Sequence, residues 1–261
     1  MVTVSVDGLR VCYGRRVAVD GVTLRLGPGV HGLLGPNGAG KTSLMRALAT
    51  VVRPDEGKVR LLDHDVAQHD GRTEARRRLG YLPQTFGHYP GFTVRQFVEY
   101  VAWLNELPKQ RVPPAVDNAI ARVGLTDRAK TRMRKLSGGM LRQVGIAQAI
   151  VNDPDVLLLD EPTAGLDPER RMAFRELVRD IGATATVIIS THLVEDVAAA
   201  CGEVTLLDAG QVAFCGTPAE LSDLGGAAGP DDENSSASDL ERGYLTALHN
   251  ARERTALCPG T

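Results

Sequence analysis

The chain has 261 residues, 43% hydrophobic, 24% charged and only 4% aromatic, enough for one large or two small globular units. Lys and Arg number 30 against 32 Asp and Glu, a formal charge of −2, so no global positive field is available to hold a nucleic acid. No run approaches the ~20 apolar residues of a spanning helix, the start (Met1-Val2-Thr3-Val4-Ser5-Val6-Asp7) alternates like a strand rather than a secretory leader, and Cys12, Cys201, Cys215 and Cys258 have neither zinc nor disulfide spacing; a cytoplasmic protein with reduced thiols is expected.

Residues 1–30 carry short alternating runs (Val2/Val4/Val6, then Val22-Thr23-Leu24-Arg25-Leu26) punctuated by Gly8, Gly14, Gly21 and Gly27-Pro28-Gly29, the pattern of antiparallel strands and tight turns. Val30-His31-Gly32-Leu33-Leu34 then runs into a glycine-rich loop, and Lys41–Leu48 reads as a helix with Leu44, Ala47 and Leu48 on one face. Another strand is expected over 58–62. The spacing predicts an amphipathic helix over 93–104, opened by a Thr93/Gln96 capping box and carrying Phe97, Tyr100, Val101 and Leu104 along one stripe, and a second over 114–123. Val156-Leu157-Leu158-Leu159 and Ala185-Thr186-Val187-Ile188-Ile189 are continuous apolar runs beside helical patterns, as in parallel strands covered on both faces. Residues 204–207, the Asp208-Ala209-Gly210 turn and 212–214 form a hairpin-like pair. Ser222 to Ser238 has almost nothing to bury and reads as a linker or disordered, with a short helix following from about Asp239 to Ala251. The organisation is α/β.

Gly35-Pro36-Asn37-Gly38-Ala39-Gly40-Lys41-Thr42 fits G-x-x-x-x-G-K-[ST], after a strand and opening a helix. Its glycines let consecutive backbone N–H groups face phosphate oxygens, the helix N-terminus adds positive potential, Lys41 reaches the outer phosphates and the Thr42 hydroxyl can ligate Mg²⁺; Ser43 continues the loop into the helix. Asp160 and Glu161 follow a buried strand at the edge where open α/β sheets bind ligands. There Asp160 suits the metal and Glu161 suits polarising the water that attacks a γ-phosphate. An ordinary strand end with solvated acids is the plain alternative, and the preceding phosphate loop tips the balance.

Leu136-Ser137-Gly138-Gly139-Met140 completes the set: with the phosphate loop and Asp160-Glu161, the chain closely resembles the ATP-binding cassette (ABC) ATPases over roughly residues 2–222. The resemblance implies a P-loop NTPase fold, with a RecA-like, mostly parallel core sheet, an N-terminal antiparallel β subdomain and a helical signature subdomain at about 85–143. It implies an ATPase domain at 1–222, and 223–261 then holds the linker and short C-terminal helix. It makes Gln84, in Gly80-Tyr81-Leu82-Pro83-Gln84, the Q-loop residue that senses metal and phosphate, Ala164-Gly165-Leu166-Asp167 the D-loop, His192 the switch histidine and Tyr13 the adenine-stacking aromatic. ATP and Mg²⁺ are the implied cofactors. Two cassettes, as a homodimer or a heterodimer, would pack head to tail, Ser137 and Gly139 of one capping the γ-phosphate held by Lys41 of the other, with Asp167 at the seam. Leu141-Arg142-Gln143 departs from the family's frequent polar-Gln-Arg order, and neither Arg142 nor Gln143 receives a role.

The wording Gly-Tyr-Leu-Pro-Gln and the phosphate loop most resemble bacterial exporter cassettes of the ABC-2 type, which implies a separate transmembrane permease and a peripheral place on the inner face of the membrane. The alternative is a soluble ABC ATPase acting on DNA or ribosomes. Chromosome-maintenance members insert long coiled coils between phosphate loop and signature, whereas Lys41 and Ser137 are 96 residues apart, and ribosome-acting members usually carry two cassettes. A P-loop kinase or GTPase has no need of Leu-Ser-Gly-Gly. Seven of the eleven aromatics (Tyr81, Phe86, Tyr89, Phe92, Phe97, Tyr100, Trp103) fall within 23 residues, suiting either a small helical core or a groove for a partner's coupling helix. Arg72 with Arg76-Arg77-Arg78 reads as a solvated helix face rather than a nucleic-acid or lipid patch. Asp63, His64, Asp65, His69 and Asp70 are poorly spaced for a metal.

Overall fold

The computed structural model describes residues 2–226 and 238–257. Strand β1 (Val4–Tyr13) turns at Gly14 into β2 (Arg16–Leu26), with Val4 opposite Leu26 and Tyr13 opposite Arg16. Val4, Val6, Leu9 and Val11 are all fully buried although the spacing slips by one between Val6 and Leu9; a register shift there, at left-handed Gly8, keeps both halves facing inward. After β3 (Gly29–Leu34) and α1 (Lys41–Leu48), β4 (Glu56–Leu61) and the two-residue β5 (His64–Asp65) join the first pair in an antiparallel sheet ordered β2-β1-β4-β5. Leu62 and Asp63 have positive φ, which ends β4 one residue before the expected strand.

The chain continues through α2 (His69–Arg77), β6 (Leu79–Leu82), α3 (Val94–Leu104), α4 (Val112–Arg122), α5 (Gly138–Ile150), β7 (Val156–Asp160), α6 (Pro168–Gly182), β8 (Thr186–Thr191), α7 (Val194–Ala200), β9 (Glu203–Asp208) and β10 (Gln211–Gly216). A six-stranded sheet runs β10-β9-β3-β8-β7-β6, parallel from β9 to β6, with β10 antiparallel at the edge. Its middle strands are covered on both faces, and β7 and β8 are buried at every residue, which is why they read as unbroken apolar runs. The Thr93/Gln96 capping box is formed as expected, and α3 buries Val94, Phe97, Val98 and Ala102 against α4 and α5. Each of the larger side chains contributes about 1.5–3 kcal/mol by leaving water. Helix α5 begins at Gly138, where Ser137 caps it through the Met140 N–H.

The stretch read as a linker from Ser222 begins inside α8 (Pro218–Gly226), where Leu221 and Gly225 are buried; residues 227–237 lie outside the described residues. Helix α9 (Asp239–Leu257) extends past the expected Ala251 and docks on the sheet, burying Ala247 and Leu248 with Leu221, Val204 and Leu206, and Arg252 bonds Asp208 at 2.7 Å. A Cβ at Gly243 would lie 1.7 Å from the Leu221 carbonyl, so α8 and α9 cross where no side chain fits. Gly243→Ala is expected to loosen α9 by about 1–3 kcal/mol, the usual cost of overpacking, seen as faster hydrogen exchange across 239–257 with the rest of the chain unchanged.

Candidate functional site

The loop from Gly35 to Gly40 leaves β3 and enters α1 in a conformation that two glycines make possible. Gly35 (φ 155) and Gly40 (φ 106) have left-handed or neighbouring backbone, and a Cβ at either would sit 2.3 Å from a carbonyl, of Leu207 and of Ala18 respectively. Gly40 heads α1 with no side-chain cap, so the first N–H groups of that helix face the loop's concavity with the positive end of the helix dipole. Lys41 is buried, its ammonium donating to the carbonyls of Gly35 (2.6 Å) and Pro36 (3.1 Å). Burial lowers its pKa, while Glu161 and Asp160 pull it back up.

Because β3, β8 and β7 are neighbours in register, with Leu34 beside Thr191 and Ser190 beside Asp160, their carboxyl ends bring the loop, the acids and the switch histidine together. Asp160 is fully buried; its Oδ1 accepts from the Ser190 hydroxyl, and its Oδ2 has no hydrogen-bond partner. Glu161 is buried too, with φ 52, a strained left-handed position for a non-glycine residue and one that turns its carboxylate out of the strand's alternation. His192 Nδ1 lies 3.0 Å from both oxygens of that carboxylate. An ionised carboxylate only accepts, so Nδ1 carries the proton and Nε2 points elsewhere. Tyr13, Asn37, Gly38, Ala39, Gly40, Lys41, Thr42, Ser43, Gln84 and Glu161 line one cavity of about 360 Å³. Arg16, which follows the β1–β2 turn, lines it as well; the Arg15-Arg16 pair just after Tyr13 was the only signal for it in the sequence.

The signature residues are placed elsewhere. Gly138 and Gly139 line a separate cavity of about 320 Å³ with Phe86, His88 and Gly165, and Gln84 is the residue common to both cavities. Ser137 caps α5 at its exposed end, and the D-loop backbone at Gly165 packs against Gly139. Asp167 caps α6 through the Arg170 N–H (3.0 Å) and is half exposed, away from the phosphate loop. Ser137, Gly138, Gly139 and Asp167 therefore do not meet Lys41 within this chain. Three interactions that no motif announced tie the parts together: Ser190 on Asp160, Thr163 with Arg175 on buried Asp196 (2.7 and 2.8 Å), and Arg142, which donates to carbonyls on both sides of the site.

The aromatics divide between the two readings. Phe97 is core, whereas Tyr89 (51% exposed) and Trp103 (67%) extend a ring cluster through Phe92 and Tyr100 to the surface, near a groove of about 500 Å³ lined by Tyr81, Val101 and Leu104. Tyr81 is pushed up to about 12 by burial, with Asp160 nearby. Arg72 and Arg76–Arg78 lie on and just after α2, Arg76 bonded to Thr50, Arg77 to Glu74 and Glu106, and Arg78 to Asp155. Among the described residues no three His, Cys, Asp or Glu side chains are gathered to hold a metal, so Asp63, His64, Asp65, His69 and Asp70 do not converge.

A strand–loop–helix phosphate cradle with two acids at the end of β7, one strand removed from β3 across β8, defines a nucleoside-triphosphatase of the P-loop class. Residues 19–164 match the ABC transporter family, and the chain belongs to it, as an ATP-binding cassette that hydrolyses ATP. It is 38% identical over 220 residues to daunorubicin resistance ATP-binding protein DrrA3 of Streptomyces coeruleorubidus, covering 84% of this chain and 69% of that protein. It is 37% identical over 219 residues to Nod factor export ATP-binding protein I of Ralstonia nicotianae, covering 83% and 68%. A solved structure of an ATP binding subunit of an ABC transporter superposes with a TM-score of 0.82 at 24% identity, covering 94% of this chain and 99% of that one. The relatives are named for resistance and export, so the DNA or ribosome alternative gains no support.

Among the described residues no helix is long and apolar enough to cross a membrane. Gly40→Ala, which drives a methyl group into the Ala18 carbonyl, is expected to weaken nucleotide binding at least about tenfold, equivalent to about 1.4 kcal/mol, measured by titration with a fluorescent ATP analogue.

Proposed function

We propose that this chain is the ATPase subunit of an exporter, working as a pair of copies that close on ATP and drive a separate permease. The observation that carries this reading is the separation of the two anion-binding turns: Lys41 and its loop line one cavity, Gly138 and Gly139 another. One chain holds both halves of a composite site that it does not itself close, and an isologous pair completes two such sites.

In the proposed mechanism adenine stacks on Tyr13, which is 44% exposed beside the loop. The triphosphate follows the N–H groups of 38–43, and Lys41 turns from the Gly35 and Pro36 carbonyls to the β- and γ-phosphates. The donors fit a hard divalent cation: Asp160 Oδ2 is buried with no partner, and its neighbour Glu161 lines the cavity together with Thr42 and Gln84. Bound there, Mg²⁺ would neutralise charge on the phosphoryl oxygens. Glu161, steadied by His192, orients water for in-line attack and takes its proton as the bond between the γ-phosphorus and the bridging oxygen breaks. His192 Nε2 faces the γ-phosphate, and Ser137 and Gly139 of the second copy cap it. Loss of that phosphate removes the bridge, and the copies part.

Export follows the relatives' names, and the exposed Tyr89, Trp103 and Leu104 beside the groove next to β6 suit the apolar face of a permease coupling helix, which would hold the chain at the membrane's inner face.

Glu161→Gln is expected to cut turnover about 10²–10⁴-fold while retaining ATP and eluting as an ATP-bound dimer on size exclusion; unchanged turnover removes Glu161 from the role. Tyr13→Ala should weaken ATP and GTP by similar factors, because stacking reads a ring face rather than a hydrogen-bonding edge; a loss confined to one base assigns recognition elsewhere.

A further inference from the structure

A guanidinium carries five N–H donors, and the one on Arg142 spends them on five backbone carbonyls. Nε donates to Pro162 (3.2 Å), Nη1 to Pro83 (3.2 Å) and Gln84 (3.0 Å), and Nη2 to Asp160 and Glu161 (2.6 Å). The residue is 7% exposed and forms no ion pair with the two carboxylates nearby; burial lowers its pKa, and the charge of Asp160 and Glu161 offsets part of that. Its acceptors belong to two segments far apart in sequence, the Q-loop and the end of β7 with the turn beyond it. Among the described residues no backbone hydrogen bond joins these segments directly past Leu82–Leu159, where the β6–β7 ladder stops. Arg142 thus replaces a missing ladder just where Gln84 and the acids must hold their relative positions.

We propose that Arg142 is a positioning residue for hydrolysis: it sets the backbone of Gln84 against that of Asp160 and Glu161, so that the step after nucleotide binding depends on it. The inference rests on the roles given above to Gln84, Asp160 and Glu161. The strained Glu161 is held from both sides, its N–H by Ser190 (3.0 Å) and its carbonyl by Arg142, and losing one hold lets the residue relax toward ordinary backbone. Nothing that binds the nucleotide first, neither the 35–43 loop nor Tyr13, touches Arg142, so ground-state affinity is spared. The clamp also rides on α5, one and a half turns after Ser137, so the helix that would meet the other copy's phosphate is the one that holds this chain's acids.

The test compares full-length wild type with Arg142→Lys, which keeps the charge but offers three donors from one point, and Arg142→Gln, which keeps two donors without charge. Thermal unfolding, ATP affinity by fluorescent-analogue titration, kcat and KM are measured on each. The expected result, in whichever variant folds, is a fall in kcat of about 10–100-fold, the usual cost of misplacing reacting groups through an outer partner, with the ATP dissociation constant within about threefold of wild type. Retained kcat, or parallel losses of affinity and kcat that track a lowered Tm, overturns the inference. Glu161→Gln separates the two levels. If it abolishes turnover while Arg142→Lys leaves kcat intact, the positioning role fails and the ATPase reading stands; if Glu161→Gln leaves turnover intact, the ATPase reading fails.

Discussion

The site depends on how closely backbone approaches the loop between Gly35 and Gly40. That loop is pressed between the Leu207 carbonyl of β9 and the Ala18 carbonyl of β2, with no room for a methyl group at either glycine. It is also the staple between the two sheets: Gly210 donates its N–H to Ala39 and accepts from the N–H of Asp20, each at 2.9 Å. The antiparallel sheet is thereby fastened over the parallel one at the phosphate cradle, which carries Tyr13 and Arg16 to the cavity. Fixing the cradle and fixing the domain arrangement are one physical event.

Sheet order does the next part. With β3, β8 and β7 side by side, residues from the phosphate loop, the Asp160-Glu161 pair and Ser190-Thr191-His192 reach one edge without any long connection crossing it. The buried charges at that edge are matched, Lys41 and Arg142 against Asp160 and Glu161. A triphosphate entering this balanced set brings uncompensated negative charge; in the proposed mechanism a cation at the unpartnered Asp160 oxygen and the Ser137 helix N-terminus of a second copy would offset it.

Two elements show where periodicity loses its power. Helix α6 carries Phe174, Val178 and Ile181 inward at helical spacing, yet charged residues crowd its remaining positions, and the pattern is plain only once the sheet it covers is known. Helix α8 runs on into the segment that composition marks as solvent-loving: Gly225, unhelpful to a helix in isolation, is what lets Gly243 of α9 come close. In both cases tertiary packing overrode local propensity.

What the amino-acid sequence determined by itself was the chemistry with short-range grammar: the strand–loop–helix cradle, the capped start of α3, the acids after an apolar strand and the Leu-Ser-Gly-Gly signature. Each needs only neighbours in the chain, because glycine conformation, capping and strand burial act over a few residues. What only the tertiary structure decided was every relation between those pieces: the Arg142 clamp across 83–84 and 160–162, the Ser190 bond to Asp160, the His192 contact with Glu161, and the placing of Ser137 outside the cavity of its own Lys41. Such contacts join residues well separated in the chain, and the partners of Arg142 are backbone carbonyls, which every residue possesses and which therefore leave no mark in the identity of the residue that supplies them.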